Sequence, residues 1–510
     1  MSVYPIDEMI QKFRTLTKQL SYYGEAIELM AWDLRTGAPR AAAPARAETI
    51  GGLSEISFRL GNSEEMEQCV QAILTAPEDQ VDAVTRRMAV QADRSIRRSK
   101  QIPPDQYKEY VILTSEAESV WEEAKAKKDF TLLAPYLEKI IDTLRRFIPI
   151  WDIDGLAASH PYNVLLDAFE PGFTVEELDR FFALLQERLV PLVKTIASKS
   201  LPEQPWMGLV VPKDAQKTLN RTVLQAVGFD FERGRLDESE HPFACGLHNT
   251  DVRITTKYVE TDFLNALYST LHECGHAMYE QQIDDQYMKT NLGTGTSMGV
   301  HESQSRFWEN AIGRSRSFWD WFFPIMSKQL PDALGGQGFE DFYRALHRVE
   351  PSLIRIESDE LTYSLHILIR YRLEKALFDG SLAVRDLPKA WNDAYTEILG
   401  VTPAHDGEGV LQDVHWSGGA FGYFPSYAIG NVYAAQLLET MGGQIPDWRE
   451  QVSNGDFSAI RVWLKEHIHT HGSAIDPKPL MERVTGSAFN PEGYIQQLTD
   501  KYSVIFDLNR

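Results

Sequence analysis

Apolar side chains recur every three or four positions along most of the chain, and the one clear exception lies directly before its most distinctive motif. That period belongs to α-helices with one buried face. Ile10, Phe13, Leu16, Leu20, Ile27 and Met30 set it out in the first segment, and similar patterns cover 43–60, 79–99, 104–128, 130–149 and 174–198. Another begins after Ser358, where Leu361, Leu365, Leu368, Leu373 and Leu377 share a face and Gly380 supplies a C-terminal stop. From about Arg235 to Tyr258 the helical period is lost. There Asp251-Val252-Arg253-Ile254-Thr255-Thr256-Lys257-Tyr258 alternates with period two and is rich in β-branched residues, so a short strand is expected, paired with residues near 235–245. No Ser/Gly-rich linker, charge block or fixed-period repeat divides the 510 residues, so a single helical domain over 1–510, built as two lobes, is expected.

Composition narrows the partners. The formal net charge is −22, from 73 acidic and 51 basic side chains. A surface that acidic repels phosphate backbones and anionic lipid, which argues against nucleic-acid and membrane partners. Three scattered cysteines, Cys69, Cys245 and Cys274, form no disulfide framework and fit a reducing compartment. The N-terminus lacks the basic and apolar regions of a signal peptide, and no apolar run reaches the roughly 18 residues needed to span a bilayer, so a cytoplasmic location is expected.

The motif is His272-Glu273-Cys274-Gly275-His276. Two His at i and i+4 project from one face of a helix, where their ring nitrogens can meet one Zn²⁺ at about 2.0–2.1 Å. Glu273 then points beside the metal rather than at it, as suits a general base acting on an activated water. Phe263, Leu264, Leu267, Leu271, Cys274 and Met278 anchor the other side of the helix, with Cys274 expected to be a small buried hydrophobe rather than a ligand. Gly275 leaves room for close backbone or substrate approach, at a helix cost of about 1 kcal/mol relative to Ala. A catalytic zinc needs a third protein ligand and one open position. His301 and Glu302, 25 and 26 residues past His276, could each supply that ligand from the next helix, and spacing alone does not choose between them.

The sequence resembles the carboxypeptidase Taq family of metallocarboxypeptidases. The resemblance rests on five ordered blocks between 251 and 416. Asp251-Val252-Arg253-Ile254-Thr255 matches a D-x-R-x-T block, and His272 to His276 the zinc motif. His301-Glu302-Ser303-Gln304 matches the third-ligand block. Ile354-Arg355-Ile356-Glu357-Ser358-Asp359 matches I-R-x-x-A-D, with Ser358 where the family has Ala. Gly409-Val410-Leu411-Gln412-Asp413-Val414-His415-Trp416 matches G-x-x-Q-D-x-H-W.

The resemblance implies a mainly α, two-lobed fold with a deep central groove, like neurolysin and angiotensin-converting enzyme, and a small β-sheet beside the zinc helix. It implies that Glu302 is the third zinc ligand, that Co²⁺ can replace Zn²⁺, and that the protein is a homodimer. The implied activity is release of single residues from the free C-terminus of peptides, with broad specificity but poorly at Pro. Arg355 is the candidate for the substrate α-carboxylate, since a guanidinium fork binds a carboxylate bidentately; the alternative is an ion pair with Glu357, Asp359 or a distant acid. His415 and Tyr423 are candidates to donate to the oxyanion, with Tyr427 as an alternative donor or an aromatic packing residue. Gln412 and Tyr427 join Arg355, Arg253 and Asp251 as candidate substrate-binding residues, the last two closing one end of the groove. His467-Ile468-His469-Thr470-His471 could be taken for a second metal tract, but its alternate spacing does not put three His on one helical face, so a helix C-terminus is expected. His366, on an amphipathic helix, is expected to be structural. Two rival readings stay open: an oligo-endopeptidase of the neurolysin type, and a non-catalytic zinc-containing peptide-binding scaffold.

Overall fold

The computed structural model describes residues 5–100, 102–199, 210–334, 336 and 338–508. It is mainly helical, with one three-stranded sheet among the described residues. The helical periods translate closely into elements. The patterns at 43–60, 79–99, 104–128, 130–149 and 174–198 become helices Ala43–Gly61, Ala83–Lys100, Pro104–Lys127, Ala134–Trp151 and Val175–Ala197. The last begins at a capping box in which Thr174 and Glu177 satisfy each other's backbone N–H, and this fixes its start. The first helix, Ile6–Thr36, fully buries Phe13, Leu16 and Trp32, while Ile10, Leu20, Ile27 and Met30 are only half-buried.

The chain divides into two compact units. One comprises the described residues of Met1–Lys100, Glu203–Phe339 and Leu437–Ala488; the other those of Gln101–Pro202, Glu340–Gln436 and Phe489–Arg510. The first unit holds the sheet. Strands β1 (Gly234–Glu238), β2 (Ala244–His248) and β3 (Asp251–Thr256) lie in the order β1-β3-β2, with β1 parallel and β2 antiparallel to the central β3. Val252 and Ile254 of β3 are fully buried, while Arg253 between them pairs across the ladders with Arg235 and Cys245. The expected strand to Tyr258 stops at Thr256, where β1 runs out at Glu238 and a turn closed by Asp262 N–H on the Val259 carbonyl begins the next helix. Thr256 donates its hydroxyl to the carbonyl of Ala266 and so ties the end of the strand to that helix.

The core of the second unit is helix Tyr363–Asp379, which is buried on nearly every side and ends at Gly380 in the left-handed conformation (φ 82°). Asp359 caps its start, accepting the N–H groups of Leu361 and Thr362. None of the described helices is long and apolar enough to cross a membrane.

Candidate metal centre and the arginine–aromatic cluster

The motif helix, Phe263–Gln281, starts at Asp262, whose carboxylate accepts the Asn265 N–H. Its apolar residues fill the first unit's core, with Ala266, Cys274, Ala277 and Met278 fully buried. Burial pushes the Cys274 thiol well up, which keeps it protonated and inert. His272 and His276 stand one turn apart with ring centroids 5.0 Å apart and planes at 81°.

A second helix, Met298–Arg306, is capped by Ser297 and runs directly into a π-helical turn, Phe307–Ile312. The two helices nearly touch at Gly275. A Cβ there would lie 2.4 Å from the Gln304 carbonyl oxygen and 2.5 Å from Ser305 Cα. This closeness brings Glu302, 5 % exposed, up to both imidazoles. Its Oε2 is 3.6 Å from His272 Nε2 and 3.5 Å from His276 Nε2. Ligands held about 2.0–2.1 Å from a common tetrahedral centre sit roughly 3.4 Å from one another, so these separations suit one cation. Two imidazole nitrogens and one carboxylate oxygen, all within 4.8 Å of one another, are also the donor set of a hydrolytic metal site with an open position. No other group of three His, Cys, Asp or Glu with such spacing occurs among the described residues.

His301 does not join these donors. Its Nδ1 lies 2.7 Å from His276 Nδ1 and its Nε2 2.8 Å from Glu280 Oε1, so both nitrogens are engaged away from Glu302. Around the three donors stands a charged frame that local patterns did not single out. Arg306 donates from Nε to Glu302 Oε1 (2.7 Å) and from Nη1 to Glu309 Oε2 (3.2 Å), and Glu309 Oε2 meets His272 Nδ1 at 2.8 Å. The signal was present: Glu302, Arg306 and Glu309 fall at i, i+4 and i+7, and His272, His276 and Glu280 at i, i+4 and i+8, each set on one helical stripe.

Burial opposes a charged His272, but the Glu302 carboxylate and the Glu309 hydrogen bond outweigh it and push the ring up to about 9, a proton that a cation must displace. Burial presses His276 down to about 4. Glu302 lies well below the usual carboxylate range: the Arg306 and His272 charges overcome its burial. Glu273, 7 % exposed, is pushed by burial up to about 7, where a carboxylate can both take and return a proton near neutrality.

The second unit gathers Arg355, Gln412, His415, Tyr423 and Tyr427. Arg355, 6 % exposed, donates from Nε (3.1 Å) and Nη2 (2.8 Å) to Asp413 Oδ1 and from Nη1 to the Tyr363 hydroxyl (3.2 Å), and its guanidinium lies over the Tyr427 ring at 5.0 Å. The other oxygen of Asp413 accepts from Arg370 Nε at 2.7 Å. Gln412 is more engaged than a free substrate contact would be. Its amide nitrogen donates to the carbonyls of Leu353 and Glu408, and its oxygen accepts from Arg370 Nη2 and the Arg355 backbone. His415 lies tilted against Phe424 (4.6 Å) and Tyr423 (5.5 Å), its Nε2 is 3.5 Å from the Tyr427 hydroxyl, and burial pushes it down to about 4, hence neutral. The loop bearing these rings is anchored by the fully buried Glu374, which accepts from the Tyr162 hydroxyl, the Trp416 indole and the Gly422 N–H. His366 is fully buried against the Tyr395 hydroxyl, as a structural residue would be.

In the first unit, Arg253 makes a bidentate pair with Asp251 (both contacts 2.8 Å) and lies over Trp32 at 4.5 Å, with Arg235 over the same ring at 5.1 Å. The pair is therefore half-buried rather than an exposed surface bridge. The His467–His471 tract is the expected helix end: the helix stops at His467, whose Nδ1 meets the Trp463 carbonyl, and His469 is buried between the amides of Gln282 and Gln304.

A sequence profile described as Carboxypeptidase Taq (M32) metallopeptidase matches residues 12–502. The chain belongs to the carboxypeptidase Taq (M32) family. Carboxypeptidase 1 of Bacillus subtilis is 46% identical over 497 residues, covering 97% of this chain and 98% of that protein. Thermostable carboxypeptidase 1 of Thermus thermophilus is 38% identical over 504 residues, covering 97% and 98%. The crystal structure of the M32 carboxypeptidase from Deinococcus radiodurans R1 superposes with a TM-score of 0.94 at 36% identity, covering 98% of this chain and 100% of that one. Membership makes the protein a metallocarboxypeptidase, a hydrolase of peptide substrates that uses a metal ion.

Proposed function

We propose that the protein is a zinc carboxypeptidase that releases single residues from free peptide C-termini, with broad specificity and poor action at C-terminal Pro. His272, His276 and Glu302 hold the metal, with Co²⁺ able to replace Zn²⁺. The observation that carries this reading is the single Glu302 oxygen set against both Nε2 atoms, beside the buried Glu273. When bound, a divalent cation polarises the scissile carbonyl and acidifies the water that attacks it. Glu273 takes the proton of that water as its oxygen bonds to the carbonyl carbon. It then passes the proton to the nitrogen of the departing amino acid as the C–N bond breaks. His415 and Tyr423 donate hydrogen bonds to the oxyanion, with Tyr427 packed against them as a reserve donor and substrate wall.

Arg355 receives the α-carboxylate. Of its five N–H groups, three are used by Asp413 and Tyr363, which leaves one on each terminal nitrogen for a carboxylate. Gln412 serves binding by holding Arg355 and Arg370 in place, and Asp251 with Arg253 bounds the peptide at the other end. The single-domain reading, two lobes about a substrate groove, belongs to the same proposal, as do a homodimeric state and a cytoplasmic location.

Timed mass spectrometry of a free-acid peptide and its C-terminal amide, with zinc-loaded protein, tests the reading. Stepwise loss of single residues from the free acid alone, halting before Pro, is expected. Equal cleavage of both peptides assigns an endopeptidase of the neurolysin type, and cleavage of neither assigns a non-catalytic scaffold.

A further inference from the structure

His301 stands next to a proposed ligand, carries metal-ligating chemistry, and has no part in the reaction as derived above. Its ring is tightly held. A Cβ on Gly295 would lie 2.6 Å from His301 Cδ2, and the Tyr279 and His276 rings lie at 5.2 and 4.8 Å. Glu280, on the motif helix one turn past His276, meets His301 Nε2 at 2.8 Å, and the same oxygen accepts the Gly295 N–H and the Thr294 hydroxyl, each at 3.2 Å.

A carboxylate can only accept, so the His301 nitrogen facing Glu280 must carry the proton. With the ring neutral, the lone pair of His301 then sits on Nδ1, 2.7 Å from His276 Nδ1. That contact is a hydrogen bond only if His276 carries its proton on Nδ1. The lone pair of His276 is thereby placed on Nε2, 3.5 Å from Glu302 Oε2. On the other side, Glu309 sets His272 directly from a carboxylate, without an intervening ring.

The geometry points to a Glu280–His301–His276 relay in which His301 is a positioning residue: it fixes the tautomer and ring angle of His276 so that Nε2 is presented as a metal donor. The two imidazole ligands are thus oriented by different means, His272 by an anion in contact and His276 by a second imidazole with its anion one step further out. Partners of this kind change metal affinity by about 10- to 100-fold when removed.

This inference rests on reading His272, His276 and Glu302 as the metal centre, and the test separates the two. Zn²⁺ affinity is measured by competition with a chromophoric chelator on the full chain, for wild type, H301F and H301Q, together with the melting temperature of each metal-stripped protein. Wild type that takes up no Zn²⁺ overturns the metal centre, and the relay with it. If wild type binds, H301F, which removes the acceptor, should weaken Zn²⁺ binding by about 10- to 100-fold. H301Q, whose side-chain oxygen can accept the His276 proton, should recover most of that loss. H301F binding like wild type, or H301Q as weak as H301F with an unchanged metal-free melting temperature, overturns the relay. If H301F does not fold, E280L against E280Q decides. Gln keeps an acceptor for His301 and should bind Zn²⁺ nearly as wild type, whereas Leu should bind at least about tenfold more weakly; equal affinity of the two overturns the relay.

Discussion

Substituting Gly275 by Ala should separate stability from metal binding. The added Cβ would fall 2.4 Å from the Gln304 carbonyl oxygen, 2.5 Å from Ser305 Cα and 2.7 Å from the Gln304 carbonyl carbon, where ordinary contact begins at 3.4 Å. All three atoms are backbone, so no rotamer change relieves the clash and the helix carrying Glu302 must retreat by roughly 1 Å. Overpacking of this kind costs about 1–3 kcal/mol. Ala in place of Gly in a helix returns about 1 kcal/mol. The metal-free protein should therefore lose only about 0–2 kcal/mol. The retreat also withdraws Glu302 from positions 3.5 and 3.6 Å from the two imidazoles. A misplacement of about 1 Å in a reacting constellation costs on the order of 10²-fold in rate, so kcat/KM should fall by about that factor, and Zn²⁺ affinity by about 10- to 100-fold, as when a group that orients a ligand is lost. Chelator competition and the melting temperature of the metal-stripped protein measure the two quantities independently. G275A that binds Zn²⁺ within about threefold of wild type would show that the close approach of the two helices does not set the ligand geometry.

E273Q should retain Zn²⁺ yet lose about 10²–10⁴-fold in turnover, as expected for a general base, and retained turnover would remove Glu273 from that role. Burial pushes the Glu374 carboxyl up to about 7, above its ordinary 4.5, so the folded state holds this proton more tightly than the unfolded chain. Its contribution to stability is then fully present below about pH 4.5 and lost as pH rises through about 7. The unfolding free energy of wild type minus that of E374Q, followed by urea titration, should accordingly fall by roughly 2–3 kcal/mol between about pH 5 and 8, and a flat difference would place the titration elsewhere.

The parts of this protein legible from sequence are those written in local spacing. Two His at i and i+4, a carboxyl between them and another on the following helix are properties of one helical turn and one loop, and the alternation at Asp251–Thr256 is a property of one strand. What was not legible is set by encounters between distant elements. His301 and Glu302 offer equivalent ligand chemistry in sequence. They are distinguished by side-chain direction, because Glu280 captures the imidazole while Arg306 and Ser305 turn the carboxylate toward the motif helix. The sequence offers Arg355 its neighbours Glu357 and Asp359 as partners as well as a distant acid. Asp359 is spent on capping a helix, and the partner is Asp413, 58 residues away.

Asp413 accounts for the logic of the second cluster. Arg355, Arg370 and Lys125 bring three positive charges to Asp413 and to the buried Glu374 carboxyl beside Arg370, so the group keeps a net charge of at least +1, and Gln412 binds Arg370 and the Arg355 backbone without altering that charge. A buried uncompensated cation is costly. The cluster is therefore most stable when one further anion is in contact; with Arg355 as the proposed carboxylate site, a peptide with a free C-terminus would bring that anion whereas an amidated one would not. Preference for a free C-terminus can thus arise from a charge the fold leaves unneutralised, independently of how well the rest of the peptide fits.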